Sequence, residues 1–170
     1  MNTLEQPALL QDLQQLPLTD VMSREVLTVY EGWSIKRLAG FFVKHNISGA
    51  PVVASDESLV GVVTQGDVVR FESREPTDIE VQKLVISYYG PNSSGLTEAD
   101  LRRFKDRANE TCTVNTIMTA QVVSIGAEAS AAEACLKIVE NNLHRLFVTE
   151  NGRLVGVVTA MDILRCLVNS

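Results

Sequence analysis

A Thr-x-x-Asp pattern stands at two corresponding places in the chain, and its side chains could bind the sugar of a nucleotide. Thr64 and Asp67 follow the letters Gly-Val-Val, and Thr159 and Asp162 follow the same three letters. Both patterns lie where a predicted strand leads into a predicted helix, and the unpaired N–H groups of a first helical turn favour an anion. The threonine adds a hydroxyl, and the aspartate can accept two O–H bonds from the vicinal hydroxyls of a ribose. The pattern therefore indicates a candidate binding site at each junction.

The same residues also have a purely structural interpretation. Thr-x-x-Asp is a capping box, which stabilises the start of a helix by about 1 kcal/mol without any ligand. Two copies at matched positions favour binding over capping alone. If Asp67 binds a ligand, Asp67→Asn should weaken ligand binding and barely change the melting temperature of the protein without ligand. Gly66 allows a close approach by a ligand, whereas Met161 stands at the equivalent position of the second copy.

The two patterns belong to an internal repeat. The strings LVGVVTQGD, residues 59–67, and LVGVVTAMD, residues 154–162, differ at two positions only. Upstream of them an offset of 96 residues superposes Met22 on Met118, and downstream the offset falls to 95, which puts one extra residue in a turn near 54–58. A unit of about 50 residues is too small to bury a face alone, so the copies are expected to pack together and form a cleft.

Each copy has the pattern strand, helix, strand, strand, helix. In the first copy we predict a strand at 27–29, a helix capped by Ser34 with Ile35, Leu38, Ala39 and Phe42 buried, strands at 50–54 and 59–63, and a helix from 65 to about 72. In the second copy we predict a strand at 123–125, a helix with Ala131, Ala134, Cys135 and Ile138 inward, strands at 146–149 and 154–158 around a tight turn at 150–152, and a helix from Thr159. The predicted fold is α/β, of the α+β kind, with two β-α-β-β-α repeats related by pseudo-twofold symmetry.

The chain outside the repeats is predicted to be helical. We divide the chain into an N-terminal helix in 1–18, repeat 1 in 19–72, a helical insert in 73–115 and repeat 2 in 116–170. The insert has a capping box at 77–80 ahead of Val81, Leu84, Val85, Tyr88 and Tyr89, then a second capped start at Thr97 for a helix through about Arg107. Whether this helical hairpin covers the cleft or supplies a partner surface stays open.

Composition excludes several classes of protein. The net charge of −6 and the pI near 4.9 argue against a nucleic-acid partner. No stretch approaches the 18 apolar residues of a membrane span, and the start has no positively charged signal region, so we expect a cytoplasmic protein without a membrane partner. Cys112, Cys135 and Cys166 stand singly and are expected to be reduced structural thiols.

Catalytic and metal-binding interpretations find little support. His45 and His144 lie in different copies without the spacing of a metal site, and no catalytic motif occurs, so we expect no enzyme, no catalytic residues and no metal. Trp33, Tyr88 and Tyr89 could form a stacking platform, but packing within the chain is the favoured interpretation.

The repeated units resemble a tandem pair of CBS domains, known as a Bateman module. The resemblance rests on the order of elements, the strand around Pro51 and both Gly-hydrophobic-hydrophobic-Thr-x-x-Asp junctions, and it covers about 19–72 and 116 onward. It implies a non-catalytic sensor that binds AMP, ADP, ATP or S-adenosylmethionine as a regulatory ligand and needs no cofactor. It further implies that Asp67 and Asp162 bind ribose hydroxyls, that Thr64 and Thr159 bind phosphate or ribose, and that the adenine meets the backbone around Val26, Ser48, Ala50 and Pro51, or Val122 and Leu146.

His144-Arg145 is similar to the His-Arg pair of phosphate-binding members of that family. A guanidinium can bind two phosphate oxygens with two parallel hydrogen bonds. Arg145 is therefore the candidate residue for binding the phosphates of a nucleotide whose ribose is bound by Asp67. The alternative is that Arg145 is solvated and contacts no ligand, and that His144 only packs against its neighbours. Phe147 replaces Pro51 and Met161 replaces Gly66 in the second copy, so one occupied site is favoured over two.

Two further expectations concern partners. The last helix carries more apolar surface than one module can bury, so we predict a homodimer. The residues expected at its interface are Met161, Ile163, Leu164, Leu167 and Val168. The regulated protein is not identified by the sequence, and the alternative function is a ligand-free CBS dimerisation and interaction scaffold whose Thr-x-x-Asp residues are caps only.

Overall fold

The structure is a computed structural model that describes residues 8–74, 79, 85–86, 90–91 and 97–168 of the 170-residue chain. Its helices are α1 Ala8–Gln15, α2 Leu18–Val21, α3 Ile35–His45, α4 Gln65–Ser73, α5 Glu98–Thr111, α6 Val114–Ile117, α7 Ala131–Glu140 and α8 Ala160–Val168. Its strands are β1 Val29–Tyr30, β2 Gly49–Val53, β3 Leu59–Thr64, β4 Ser124–Gly126, β5 Arg145–Glu150 and β6 Arg153–Thr159. Within the described residues, no helix has the length and apolar character needed to cross a bilayer.

The strands form two small mixed sheets, in the orders β1-β2-β3 and β4-β5-β6. In the second sheet β4 runs parallel to β5, with Ser124 opposite Phe147, and β5 runs antiparallel to β6. A parallel pair needs a long crossover, which α7 supplies. The predicted β-α-β-β-α order of both repeats, and with it the mixed α and β fold class, is confirmed.

The chain divides into two compact units. The C-terminal unit comprises the described residues of 1–28, 53–60 and 121–170, and the central unit comprises those of 29–52 and 61–120. Helices α7 and α8 of the second repeat therefore belong to one unit, and helices α3 and α4 of the first repeat belong to the other.

The first residues of the two repeats are exchanged between these units. Ser23, near the start of the first repeat, makes two backbone hydrogen bonds with Val157 of β6, at 2.8 and 2.9 Å. Thr119, near the start of the second repeat, makes the same pair of bonds with Val62 of β3, at 2.9 and 3.0 Å. These residues are equivalent under the sequence offsets, so the exchange follows the symmetry of the repeat.

A glycine makes room for a methionine at each of these contacts. A Cβ atom added at Gly156 would lie 2.6 Å from Met22 Sδ and 3.0 Å from the carbonyl oxygen of the next residue. A Cβ atom added at Gly61 would lie at the same two distances from Met118 Sδ and from the carbonyl oxygen that follows it. Both glycines are therefore required by the close approach of a neighbouring segment within the same unit.

Replacing Gly61 or Gly156 with alanine is expected to lower the free energy of unfolding by about 1 to 3 kcal/mol, because the added methyl group overpacks the contact. Gly40→Ala is the matched control, since nothing lies within 4 Å of a Cβ there. Gly40 is inside α3, where alanine should instead stabilise by about 0.5 to 1 kcal/mol. Urea unfolding measures both effects. Unchanged stability in both Gly61→Ala and Gly156→Ala would show that the methionine contacts are loose.

Helix α3 has the N-cap and most of the buried side chains that its sequence predicts. The side chain of Ser34 accepts a hydrogen bond from the backbone N–H of Arg37 at 3.2 Å, so the predicted N-cap is confirmed. Ile35, Leu38 and Phe42 are buried as predicted, whereas Ala39 is only partly buried. These three side chains join the core of the central unit. Further fully buried side chains among the described residues of that unit are Val29, Val52, Val63 and Val114.

The C-terminal unit has its own core, to which the N-terminal segment contributes. Its buried side chains are Leu13, Leu18, Met22, Ile125, Ala131, Ala132, Ala134, Ile138, Leu146, Val148, Val158 and Ile163. Cys135, predicted on the inner face of its helix, packs partly buried against this core. The predicted N-terminal helix is therefore present as α1 and is part of a core rather than an appendage.

The structure corrects two sequence expectations. Ile163 is 3 % exposed, and Leu167 is partly buried against the same core. The prediction that these two residues face a partner is therefore wrong. The first strand is β1 at Val29–Tyr30 rather than 27–29, because Val29 is the residue buried in the core while Leu27 is 45 % exposed.

The second helix of the insert is present as α5. Thr97 and Asp100 form the predicted capping box, and the helix continues to Thr111 rather than ending near Arg107. Helix α5 packs against α3, and Lys36 Nζ lies 2.9 Å from Glu110 Oε1. The predicted first insert helix, with its capping box at 77–80 and Val81, Leu84, Val85, Tyr88 and Tyr89, lies largely outside the described residues, so its course stays a prediction.

Candidate functional site

The first Thr-x-x-Asp junction lies between β3 and α4. Asp67 Oδ2 accepts two hydrogen bonds from Thr64, one from its backbone N–H and one from Oγ1–H, both at 2.7 Å. Thr64 Oγ1 in turn accepts from the backbone N–H of Asp67 at 3.4 Å. The four residues therefore form a complete capping box at the start of α4.

The second junction repeats this geometry. Asp162 Oδ2 accepts from the backbone N–H and the hydroxyl of Thr159, at 2.9 and 2.6 Å. A third copy stands at the start of α5, where Asp100 Oδ2 accepts from the same two groups of Thr97, at 3.1 and 2.6 Å. Thr97 lies in the insert, so hydrogen-bond geometry by itself does not distinguish a junction of the repeats from an ordinary helix cap.

Burial distinguishes Asp67 from the other two aspartates. Asp67 is 8 % exposed and is the one polar residue among those the structure describes that counts as buried. The side chain of Asp67 is 10 % exposed, whereas that of Asp162 is 24 % exposed. Burial acts to raise the pKa of Asp67, but the hydrogen bonds from Thr64 and Arg70 and the charge of Arg70 outweigh it, so the pKa is lowered. Asp67 is thus a fixed, ionised acceptor below the protein surface.

An arginine one helical turn further on completes each junction. Arg70 Nη2 donates to Asp67 Oδ1 in a short charge-assisted hydrogen bond. The equivalent pair in the second repeat is looser, with Arg165 Nη1 at 3.4 Å from Asp162 Oδ1. Sequence reasoning missed both arginines, although Asp-x-x-Arg occurs in both copies and side chains three residues apart meet on a helix.

The segment that enters β2 is fastened to the first junction. The backbone N–H of Gln65 donates to the carbonyl oxygen of Ser48 at 2.9 Å. Next along the chain, a Cβ atom at Gly49 would lie 3.3 Å from Thr64 Cγ2. Ala50 and Pro51 follow and are buried, so they can offer a ligand only backbone atoms, while Ser48 is exposed. The central unit therefore contains the predicted residues Thr64, Asp67, Ser48, Ala50 and Pro51 around one strand-to-helix junction.

The remaining predicted residues belong to the C-terminal unit. Arg145 lies directly opposite Thr159 in the β5–β6 ladder. His144 and Arg145 are exposed, Leu146 is in the core, and Val122 is partly buried. Val26 also belongs to this unit, so the residues named for the adenine are divided between the two units.

The positions that differ between the repeats have different environments. Phe147, which replaces Pro51, is 7 % exposed, whereas Met161, which replaces Gly66, is 56 % exposed. Met161 therefore stands on the outer side of the first turn of α8, at the place where the first junction has only a glycine.

The other chemistry-bearing side chains pack within the chain. The guanidinium of Arg37 lies 4.0 Å from the centre of the Trp33 ring, and the Phe41 ring meets Trp33 edge-on at 5.3 Å. Tyr88 and Tyr89 lie outside the described residues. In the part of the chain that the structure describes, no three His, Cys, Asp or Glu residues are grouped as a metal site.

Comparisons with known proteins identify the architecture. The profile of the CBS domain matches residues 18–74 and 114–169. The uncharacterised protein MJ1426 of Methanocaldococcus jannaschii is 29 % identical over 160 residues, which are 89 % of this chain and 90 % of that protein. Two longer relatives are matched over only 42 % and 25 % of their length.

Solved structures agree in fold. The CBS domain of a CBS domain-containing membrane protein from Sphaerobacter thermophilus superposes with a TM-score of 0.63 and 26 % identity, covering 93 % of this chain and 91 % of that one. CBSX2 in complex with AMP superposes with a TM-score of 0.62 and 21 % identity, covering 91 % and 97 %.

Proposed function

The chain belongs to the CBS domain family, with two copies of the domain, and from this premise we propose that it is a non-catalytic regulatory module that senses an adenosine-containing ligand. The candidate ligands are AMP, ADP, ATP and S-adenosylmethionine. The observation that carries the proposal is the buried, ionised carboxylate of Asp67 at the first strand-to-helix junction. A module of this kind passes its signal to a separate regulated protein.

The chemistry of the junction supports a nucleoside rather than an arbitrary anion. An ionised carboxylate only accepts hydrogen bonds, and vicinal ribose hydroxyls supply two donors close together. The nearby N–H groups at the start of α4 favour a negatively charged group. The structural relative that binds AMP has the same fold over nearly its whole length, which supports AMP as the first ligand to test.

The first junction is the stronger of the two candidate sites. Asp67 is more deeply buried than Asp162, and Gly66 leaves space where Met161 puts a large side chain. We therefore propose that the ligand occupies the Thr64–Asp67 junction and that the Thr159–Asp162 junction binds more weakly or serves as a cap.

A melting screen against AMP, ADP, ATP, S-adenosylmethionine and GTP tests the proposal. A ligand present at 100 times its dissociation constant stabilises the fold by about 2.7 kcal/mol, so the melting temperature should rise by about 5 to 10 °C. An adenosine-containing ligand is expected to produce this shift and GTP is not. No shift with any of the five compounds would reject the sensor.

The second candidate function is a ligand-free interaction scaffold. The capping box at Thr97 and Asp100 favours it, because the same hydrogen bonds form there outside the repeats. On this hypothesis Asp67 would stabilise α4 and nothing more. The melting screen separates the two functions, because a ligand-free scaffold should show no change in melting temperature with any of the five compounds.

We further propose that the module is a homodimer. An apolar patch on α7 and α8, which pack on each other, is formed by side chains that are 51–82 % exposed. Its members are Leu136, Val139, Met161, Leu164 and Val168. The first repeat exposes Val43 and Val69 at the positions of Val139 and Leu164. Exposed apolar patches of this kind mark interfaces, and a twofold dimer requires a patch that is complementary to itself.

Leu164→Glu is expected to convert the dimer to a monomer, because it places an unpaired charge within the apolar patch. Leu27→Glu is the matched control, since Leu27 is similarly exposed, at 45 %, but lies outside α7 and α8. Sedimentation velocity at tens of micromolar protein measures the association state. A monomeric parent protein, or equal dissociation in both variants, would contradict the proposed interface.

A further inference from the structure

We propose that Arg70 determines the ligand specificity of the Asp67 site. When a nucleotide binds, the guanidinium of Arg70 leaves Asp67 Oδ1 and binds the phosphate of the nucleotide instead. The site would thereby prefer adenine nucleotides over uncharged adenosine. This inference rests on the proposed function, because it assumes that a ribose binds to Asp67.

The argument begins with the acceptor sites of the carboxylate. Two carboxylate oxygens offer about four lone-pair sites. Thr64 uses two of them on Oδ2, and Arg70 uses one on Oδ1. One site is left, whereas the vicinal hydroxyls of a ribose bring two donors. Two ribose bonds to Asp67 therefore require one of the existing donors to leave.

Arg70 is the donor that can leave most easily. The bonds from Thr64 close the capping box, so their loss would open the first turn of α4. The side chain of Arg70 is 74 % exposed, so its guanidinium can turn away from the buried carboxylate of Asp67 without disturbing the core. Water can solvate the released guanidinium, so the ribose displaces Arg70 and leaves the helix start intact.

The released guanidinium is already placed beside the N-terminus of α4. Arg70 Nη1 lies 3.6 Å from the position that a Cβ of Gly66 would occupy, in the first turn of α4. The N–H groups of Gln65 and Asp67 in that turn already donate to Ser48 and to Thr64 Oγ1, so the anion is favoured by the helix dipole and the guanidinium. An arginine can bind a phosphate with two parallel hydrogen bonds. A nucleotide would therefore supply Arg70 with a new anionic partner in exchange for Oδ1.

The second repeat lacks the conditions for this exchange. Arg165 lies 3.4 Å from Asp162 Oδ1, in a looser pair on a more exposed carboxylate. Met161 occupies the position of Gly66 and puts a large side chain in the first turn of α8. Arg165 is therefore the matched control for Arg70, because it has the same residue type and spacing without the open first turn.

Adenosine and AMP respond oppositely to the loss of Arg70. Adenosine displaces Arg70 and offers it no anion, so removal of the arginine should leave adenosine binding unchanged or tighter. AMP loses a charge-assisted partner of its phosphate, so its affinity should fall by about tenfold or more. The ratio of the two affinities is the measured quantity, since an effect on folding alone would change both affinities in the same direction.

Isothermal titration of the full chain with adenosine and with AMP tests the proposal. Arg70→Gln should lower the preference for AMP over adenosine by about tenfold, Arg70→Lys should lower it less, and Arg165→Gln should leave it unchanged. An unchanged preference in Arg70→Gln would overturn the role of Arg70 while binding of AMP by the parent protein still supported the sensor. Absence of binding of either compound to the parent protein would reject the sensor and this inference together.

Discussion

Asp67→Asn is expected to weaken binding of AMP by about tenfold to more than a hundredfold, which corresponds to the loss of roughly 1.5 to 3 kcal/mol. The substitution keeps the shape of the side chain but removes its charge and replaces an acceptor with an amide that donates. A ribose hydroxyl that donates to Oδ1 would then meet the wrong group. Isothermal titration with AMP measures the effect directly.

Asp100→Asn is the matched control for this prediction. Asp100 makes the same capping bonds to Thr97 that Asp67 makes to Thr64, but it lies in the insert. Its replacement should disturb a helix start and leave the affinity for AMP unchanged. Asp162→Asn should have a smaller effect than Asp67→Asn. Equal affinity of the parent protein and Asp67→Asn would contradict the assignment.

Asp67 also contributes to the stability of the fold through the capping box that it forms with Thr64. Loss of its capping bonds is expected to lower the free energy of unfolding by about 0.5 to 2 kcal/mol. Because folding lowers the pKa of Asp67, the folded state binds this proton less strongly than the unfolded chain. Its contribution is therefore complete above the unfolded pKa of about 3.9 and is lost as the pH falls through the lowered value. This acid-side dependence should diminish in Asp67→Asn.

Arg145→Ala is expected to lower the affinity for AMP and ATP by about tenfold or more while leaving adenosine unchanged. Arg145 is exposed opposite Thr159, and the prediction rests on the resemblance of His144-Arg145 to the His-Arg pair of phosphate-binding members of the CBS family. Arg153→Ala, at the other end of the β5–β6 ladder, is the control and should have no effect. An equal loss for adenosine and ATP would assign Arg145 a role in folding instead.

The two arginine predictions are distinguished by adenosine. Removal of Arg145 takes away only a phosphate partner, so adenosine binding should not change. Removal of Arg70 also frees Asp67 Oδ1, so adenosine binding should stay equal or improve. Both substitutions weaken binding of AMP, and titration of both compounds is therefore needed to assign each arginine.

Local signals were sufficient to predict most elements of the fold, although not the short helices α2 and α6. The repeated strings established the two copies, and the caps at Ser34 and Thr97 were predicted correctly because capping depends on residues within one helical turn. The tight turn between β5 and β6 was also predicted, and Asn151 and Gly152 adopt the positive φ angles, 51° and 80°, that such a turn requires.

Features that depend on distant contacts were not predicted. The exchange that joins Ser23 to Val157 and Thr119 to Val62 involves residues far apart in sequence, and no local pattern marks it. Likewise, Ile163 and Leu164 are adjacent apolar residues of one helix, and only the position of the core decides that Ile163 is the buried one. Only the structure therefore shows which apolar side chains of α8 belong to its exposed patch.

The candidate site was predicted in part. The strand-to-helix junctions and their aspartates followed from the repeat, but the burial of Asp67 and its ion pair with Arg70 depend on tertiary packing. The roles of these residues in binding a ligand stay predictions that rest on the family and on the chemistry of the junction.

A comparison of AMP with 2′-deoxy-AMP, titrated into the parent protein and into Asp67→Asn, tests the contact between Asp67 and the ribose most directly. This double cycle isolates the interaction between one hydroxyl and one carboxylate. The account predicts that 2′-deoxy-AMP binds the parent protein about tenfold or more weakly than AMP, and that Asp67→Asn binds the two compounds almost equally. The same difference between the two compounds in both proteins would contradict it.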